Sequence, residues 1–330
     1  MLRTFVTHNP EDLDVYFGRA LPELRDVCEV VLNPLDRDLT TDELIQHSAG
    51  CQIVVAHRAT PGEAELFERN SDLVAFLRTA VDISTVDVAA ASRNGVLVAH
   101  ADKAFVPSTA EIALALLLDV TRNVSESVVD YRNGVAPAQR PGFQLRGKVA
   151  GIIGYGSIAR YLAPALAGLG VHVLIADPYA NAAADGFEQV DVPTLLGRSD
   201  YVLPLAVSTP ETENLIDGAA LARMKQGAIL VNVSRGELLD EAAVAAALDS
   251  GHLGGLAMDV GRAPDQRPSP ELAARPGVVA TPHLGGLTPE NADAQAMHSV
   301  EQVRSIAAHE LPERSVNPGD AHRLRAWWSQ

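Results

Sequence analysis

A chain of 330 residues has room for two domains at roughly 100–200 residues each, and its 47% hydrophobic and 21% charged content is that of a globular protein. With 42 acidic against 26 basic residues the net charge is −16, which argues against nucleic acid or anionic membrane as the main partner, since both demand basic surface. Cys28 and Cys51 make no disulfide framework, no apolar run reaches the roughly 18 residues of a membrane span, and the first residues carry acids where a signal peptide needs an apolar stretch, so the expected setting is the cytoplasm.

Short apolar runs alternate with helical stretches from the start, the pattern of an α/β fold with parallel strands. Strands are expected at 3–7, 28–32, 52–56, 73–78 and 96–99, with helices at 12–24, 41–50, 63–69 and 86–94 between them. Ser108, with Glu111 three residues on, reads as the N-cap and capping box of a helix whose stretch 112–120 is almost all apolar and so buried on several sides. A Gly- and Pro-rich connection follows. The βα pattern then restarts, with strands at 149–153, 172–176, 200–205, 229–232, 255–259 and 278–280 and helices at 157–168, 214–224 and 241–250. Thr288-Pro289-Glu290 opens a last helix, with Thr288 as N-cap and Pro289 at the first helical position.

The sharpest local signal is the run from strand 149–153 into Gly154-Tyr155-Gly156-Ser157-Ile158-Ala159. Gly154 permits the tight turn, Gly156 lets a pyrophosphate approach the backbone, and Ala159 supplies the small residue that helix–strand packing needs. The helix N-terminus then offers unpaired N–H groups to the phosphates. Asp177 ends the next strand, 21 residues after Gly156, where a carboxylate can accept from the ribose hydroxyls. It would repel a 2′-phosphate, which favours NAD over NADP. The alternative for Asp177 is a turn residue before Pro178.

With these residues in place the chain resembles the D-isomer-specific 2-hydroxyacid dehydrogenase family over nearly its whole length. Thr109-Ala110-Glu111, the run 145–154, Thr209-Pro210-Glu211-Thr212, Asn232-Val233-Ser234-Arg235-Gly236 and Thr281-Pro282-His283-Leu284-Gly285-Gly286 carry the likeness. The resemblance implies two doubly wound Rossmann- or flavodoxin-like domains with parallel sheets. A cofactor domain, 106–289, is inserted into a discontinuous substrate domain, 1–105 and 290–330, with the active site in the cleft and a homodimer formed through the cofactor domain. It implies NAD as cofactor and a small 2-hydroxy or 2-keto acid as substrate, and no metal site is expected. By resemblance the cofactor meets Thr109, Gly154, Gly156, Ser157, Ile158, Asp177, Pro178, Val207, Thr209, Val233, Asp259, His283 and Gly285, with Asp259 receiving the nicotinamide carboxamide. Arg235 binds the substrate carboxylate and polarises the carbonyl, with Arg58, Val81 and Asp82 also at the substrate. His283 is the general acid and base.

Physical chemistry supports the last two roles independently. Arginine is always charged and presents paired donors to a carboxylate, and Arg235 follows a buried strand at the sheet edge where ligands collect. An imidazole titrates near pH 6.5 when unperturbed, which suits proton exchange at neutral pH.

The sequence departs from the family pattern in three places. The glutamate that normally contacts the histidine is replaced by Pro264, and the adjacent Asp265 is the one nearby carboxylate that could substitute. Without such a carboxylate the ring would hold its proton less tightly, and reduction would be favoured at lower pH than is usual for the family. The family's glycine-rich substrate loop is here 79–87, where Asp82 disfavours a second carboxylate in the substrate. Lys103 and Phe105 stand where the family carries small residues. Two rival readings stay open: a relative with a formate- or phosphite-like donor, and an NADH-responsive binding protein with little turnover.

Overall fold

The computed structural model describes residues 2–263 and 265–330. Pro264, expected at the position of the family glutamate, lies outside the described residues. The chain divides into two compact units, one formed by Met1–Ala104 with Thr288–Gln330 and the other by Phe105–Leu287. The second is therefore an insert in the first.

The first unit holds a five-stranded parallel sheet of β1 (Arg3–Val6), β2 (Glu29–Leu32), β3 (Ile53–Ala56), β4 (Ala75–Arg78) and β5 (Leu97–His100), in the order β2-β1-β3-β4-β5. This is the flavodoxin-like order of a doubly wound fold. β3 and β4 are buried along their whole length, as central parallel strands covered on both faces must be. Alternate residues divide between the faces: Ile53, Val55 and Leu77 enter one core, Val54, Ala56 and Phe76 the other. The terminal segment completes this unit. Helix Pro289–Ala307 starts as expected, with the Thr288 hydroxyl accepting from the N–H of Asn291 at 3.2 Å, and buries Ala296, Val300, Val303 and Ile306 on one face. Residues 315–317 then cover the open edge of β5, where Val316 N–H donates to the Val98 carbonyl and Asn317 Oδ1 accepts from Val98 N–H. Trp328 donates to the Ile306 carbonyl at 2.9 Å and stacks on His309, so the Trp327–Trp328 pair docks on its own chain.

The second unit holds seven parallel strands: β6 (Val149–Ile153), β7 (His172–Ala176), β8 (Glu188–Gln189), β9 (Tyr201–Pro204), β10 (Ala228–Asn232), β11 (Leu253–Met258) and β12 (Val278–Ala280). Their order, β12-β11-β10-β9-β6-β7-β8, reverses between β6 and β9, the switch point of a Rossmann sheet. The first four residues of β10 alternate between the two cores, Ile229 and Val231 on one face, Ala228 and Leu230 on the other.

Helix Val106–Arg122 differs from the sequence reading. It begins before Ser108, with Pro107 in its first turn, and the Ser108 hydroxyl donates to the Phe105 carbonyl at 3.0 Å. The preset φ of proline suits the first turn, so the start moves upstream and the Ser108–Glu111 box does not form. A capping box forms instead at Thr40–Glu43. The apolar stretch is not buried on all sides either. Ala113, Leu116 and Leu117 face the core, while Leu118 is 40% exposed. A second helix, Val124–Arg132, continues after Asn123, whose φ of 54° breaks the axis.

One residue at the end of β1 gives the first unit a specific acid sensitivity. His8 is buried, and neither ring nitrogen has a hydrogen-bond partner among the described residues. Burial, reinforced by the nearby His57, pushes its pKa down to about 3. A group protonated in the unfolded chain near pH 6.5 but neutral in the folded one withdraws stability as pH falls below 6.5. The loss between pH 7 and pH 5 is about 2 kcal/mol. Urea unfolding at the two pH values should show this drop for the native protein and a smaller one for His8→Leu. An equal drop in both would remove His8 as its source.

Candidate active site

The glycine loop is built as the pattern demands. Gly154 has φ 97°, and a Cβ there would stand 2.7 Å from the Ala206 backbone nitrogen, so only glycine fits the exit from β6. Gly156 caps helix Ser157–Gly168, and a Cβ added there would meet no protein atom within 4 Å. That position faces open space beside a helix N-terminus, the geometry a pyrophosphate requires. Ala159 is fully buried against the sheet, Ile158 is half-buried and Ser157 is exposed.

Asp177, at the end of β7, is tied into the same loop. Its Oδ2 accepts from Tyr155 N–H at 2.7 Å, and its Oδ1 from the N–H groups of Tyr179 and Ala180 at 2.7 and 2.9 Å. Burial alone would raise its pKa, but the three backbone donors and the Arg160 charge together hold it below the usual carboxylate range. Asp177 is thus a turn residue and a fixed negative charge beside the glycine loop. Tyr155 is locked from its other side too. Its hydroxyl donates to Asp185 at 3.0 Å, and the Arg160 guanidinium, paired with Asp185, lies 4.3 Å from its ring centre. Pro178 is exposed beside Asp177. After β9 the loop is closed by Thr212, whose hydroxyl donates to the Val207 carbonyl and accepts from Thr209 N–H, leaving the Val207 side chain 77% exposed.

The remaining signals gather on β10, β11 and β12, which are neighbours in the sheet. Each is followed at its carboxyl end by one of Arg235, Asp259 and His283. Buried Val233 leads out of β10. Asn232, fully buried, turns the chain after it, donating to the Arg235 carbonyl at 2.8 Å and accepting from Ser234 N–H at 3.1 Å. Arg235 is half-buried and rests one nitrogen on the Ser234 carbonyl. His283 is half-buried with φ 62°, a left-handed conformation that side chains rarely take, histidine, asparagine and aspartate more often than the rest.

The conformation of the His283 loop is imposed by Asp259, which is 1% exposed. Its Oδ1 accepts from the Thr281 hydroxyl at 2.6 Å and Leu284 N–H at 2.7 Å, its Oδ2 from Gly285 N–H at 2.7 Å. The Thr109 hydroxyl donates to the Gly285 carbonyl at 3.2 Å. The Asp259 carboxylate, expected to receive a carboxamide, is thus engaged by three donors within the protein. Thr109, expected at the cofactor, braces the same loop. Asp265 turns to Arg267, accepting from its N–H at 3.1 Å and pairing with its guanidinium at 3.3 Å.

In the first unit Arg58 follows β3 and is exposed, while half-buried Val81 and exposed Asp82 follow β4. Asp82 accepts from Ser84 N–H at 2.9 Å. The sequence reading missed Arg78, the last residue of β4. It is fully buried, donates to the His57 carbonyl and to Thr85 Oγ1, and so ties the Arg58 loop to the Asp82 loop. Burial lowers its pKa to about 10, with Asp82 opposing and Arg58 adding to the effect. Asp12, Asp38 and His57 bring one ligand-type atom each within 4.8 Å of one another, the one such group among the described residues. Asn9 already donates to the Asp12 carboxylate at 2.8 Å.

A glycine loop at the switch point of a Rossmann sheet, with a fixed acid ending the second strand, defines a dinucleotide-binding domain. The family model of the D-isomer specific 2-hydroxyacid dehydrogenase NAD-binding domain matches residues 114–285, and the chain belongs to that family. It is 38% identical over 268 residues to D-3-phosphoglycerate dehydrogenase of Mycobacterium leprae, a match covering 80% of this chain and 51% of that one. The chain thus spans about half the length of that curated relative. Against (S)-sulfolactate dehydrogenase of Chromohalobacter salexigens it is 32% identical over 292 residues, 86% of this chain and 94% of the relative. The solved structure of D-lactate dehydrogenase from Escherichia coli superposes with a TM-score of 0.79 at 27% identity, covering 96% of this chain and all of the other. No helix among the described residues is long and apolar enough to cross a membrane.

Proposed function

We propose that this chain reduces a small 2-keto acid to its D-2-hydroxy acid with NADH, and runs the reverse oxidation with NAD. The observation that carries the reading is Arg235 and His283 at the carboxyl ends of β10 and β12, on the edge of the sheet that also carries the glycine loop. The nicotinamide, when bound, supplies the hydride. Arg235 pairs with the substrate carboxylate, orients the carbonyl and draws charge toward its oxygen. The His283 ring gives that oxygen a proton as the carbonyl carbon is reduced, and recovers it from solvent. Arg58, Val81 and Asp82 are proposed substrate contacts. The negative charge of Asp82 favours acids with a single carboxylate.

Glycine at 154 and 156 and the ionised Asp177 fit a dinucleotide with a free 2′-hydroxyl, so NADH is proposed over NADPH. We also propose a homodimer through the second unit. Its support is the row of exposed apolar residues on the two helices that follow the domain junction: Leu118, Val124, Val128, Val129 and Tyr131. The buried free thiols of Cys28 and Cys51 suit a reducing, cytoplasmic setting.

NADH and NADPH consumption across a panel of short 2-keto acids tests the reading. Turnover with at least one monocarboxylic acid, faster with NADH, is expected. Tight NADH binding without turnover on any acid would favour the binding-protein alternative.

A further inference from the structure

Gly261-Arg262 lies just beyond the carboxyl end of β11, two and three residues after Asp259. The backbone at this point packs directly on the turn that carries Arg235. A Cβ on Gly236 would stand 2.2 Å from the Gly261 carbonyl carbon and 2.6 Å from Arg262 nitrogen, so the two loops touch backbone to backbone. Gly261 is itself pressed from behind, since a Cβ there would lie 2.4 Å from the Arg267 carbonyl oxygen.

Across this contact the Arg262 guanidinium spreads over the far side of the same turn. Nε and Nη2 both donate to the Leu239 carbonyl, at 3.1 and 2.8 Å, and Nη2 also donates to the Glu237 carbonyl at 2.9 Å. Nη2 reaches Asn214 Oδ1 at 2.5 Å and Nη1 the Glu213 carboxylate at 2.7 Å. Asn214 is held in a left-handed conformation, φ 53°, and donates from its N–H to the Glu237 carbonyl at 2.8 Å. The turn of Gly236–Leu238 is therefore gripped by the Gly261 backbone on one side and by Arg262 with Asn214 on the other.

We infer that Arg262 is a positioning residue for Arg235: it fixes the turn from which Arg235 reaches the substrate carboxylate. The inference rests on the proposed role of Arg235. A planar five-donor fork suits the task, because several carbonyls in different directions must be met at once and a single ammonium cannot meet them all.

Steady-state kinetics on Arg262→Met, Arg262→Lys and Arg235→Lys, with the best 2-keto acid and with NADH binding followed by fluorescence, tests it. Arg262→Met should raise KM for the 2-keto acid by about tenfold or more, with kcat and NADH affinity changed far less. Arg262→Lys should fall between Met and native, and it carries the test alone if the Met variant does not fold. KM within twofold of native in the folded Arg262 variants, with Arg235→Lys impaired, would overturn this inference and leave the parent reading intact. An unimpaired Arg235→Lys would overturn both.

Discussion

Replacement of His283 by asparagine is expected to lower kcat for 2-keto acid reduction by about 10²–10⁴-fold, the range a positioned general acid contributes. Asparagine is the right replacement for a structural reason. His283 sits at φ 62°, and asparagine tolerates that region better than other side chains with a Cβ. The surrounding loop is held by contacts that do not involve the ring, among them Leu284 and Gly285 N–H on Asp259. The variant should therefore keep its fold and lose the proton donor, with NADH affinity changed far less than kcat. Equal loss in NADH binding would mean that the loop, not the ring chemistry, was damaged. A kcat within threefold of native would take His283 out of the proton path.

The second large effect is expected at Asp259. Its carboxylate accepts three hydrogen bonds from the protein while 1% exposed, so its charge depends on those donors. Asp259→Asn leaves one acceptor oxygen and turns an amide NH2 toward an N–H or O–H donor. A buried donor facing a donor forfeits a charge-assisted bond and strands a polar group, costing about 2–4 kcal/mol in unfolding free energy. Because the bonds being lost define the 281–285 loop, activity should fall by more than the stability loss alone explains at temperatures where the variant is still folded. Denaturant unfolding together with kcat reports both. Unchanged stability would contradict the role given to this carboxylate.

Much of this was legible in the sequence because period and punctuation agree. β6 and β7 begin and end where the apolar runs do, at 149–153 and 172–176. The tight turn at Gly154, the helix start after Gly156 and the acid tied to the same loop follow from spacing. Thr288 and Pro289 mark a helix start by chemistry alone. The errors have physical causes as well. Pro107 started a helix ahead of the better-looking cap at Ser108. The second helix after Asn123 was not expected, since an asparagine can take a left-handed conformation without any change in hydrophobic pattern. Arg78 and Arg262 were illegible because they act on backbone carbonyls brought near only by the fold, and a backbone acceptor leaves no mark on residue identity. Asp259 is expected at the carboxamide by resemblance alone, and its structural role beside that was not legible in the sequence. Its three intramolecular donors show that it also holds the 281–285 loop.

In the proposed reaction a hydride passes between the dinucleotide and C2 of a 2-keto acid held by Arg235, with His283 as the proton donor. Incubation with NADH deuterated at the transferred position and the best 2-keto acid of the panel, followed by chiral analysis of the product by mass spectrometry, tests it directly. The account predicts a D-2-hydroxy acid carrying one deuterium at C2, formed by the native protein and lost with Arg235→Lys or His283→Asn. Binding of NADH with no labelled hydroxy acid from any member of the panel would contradict it.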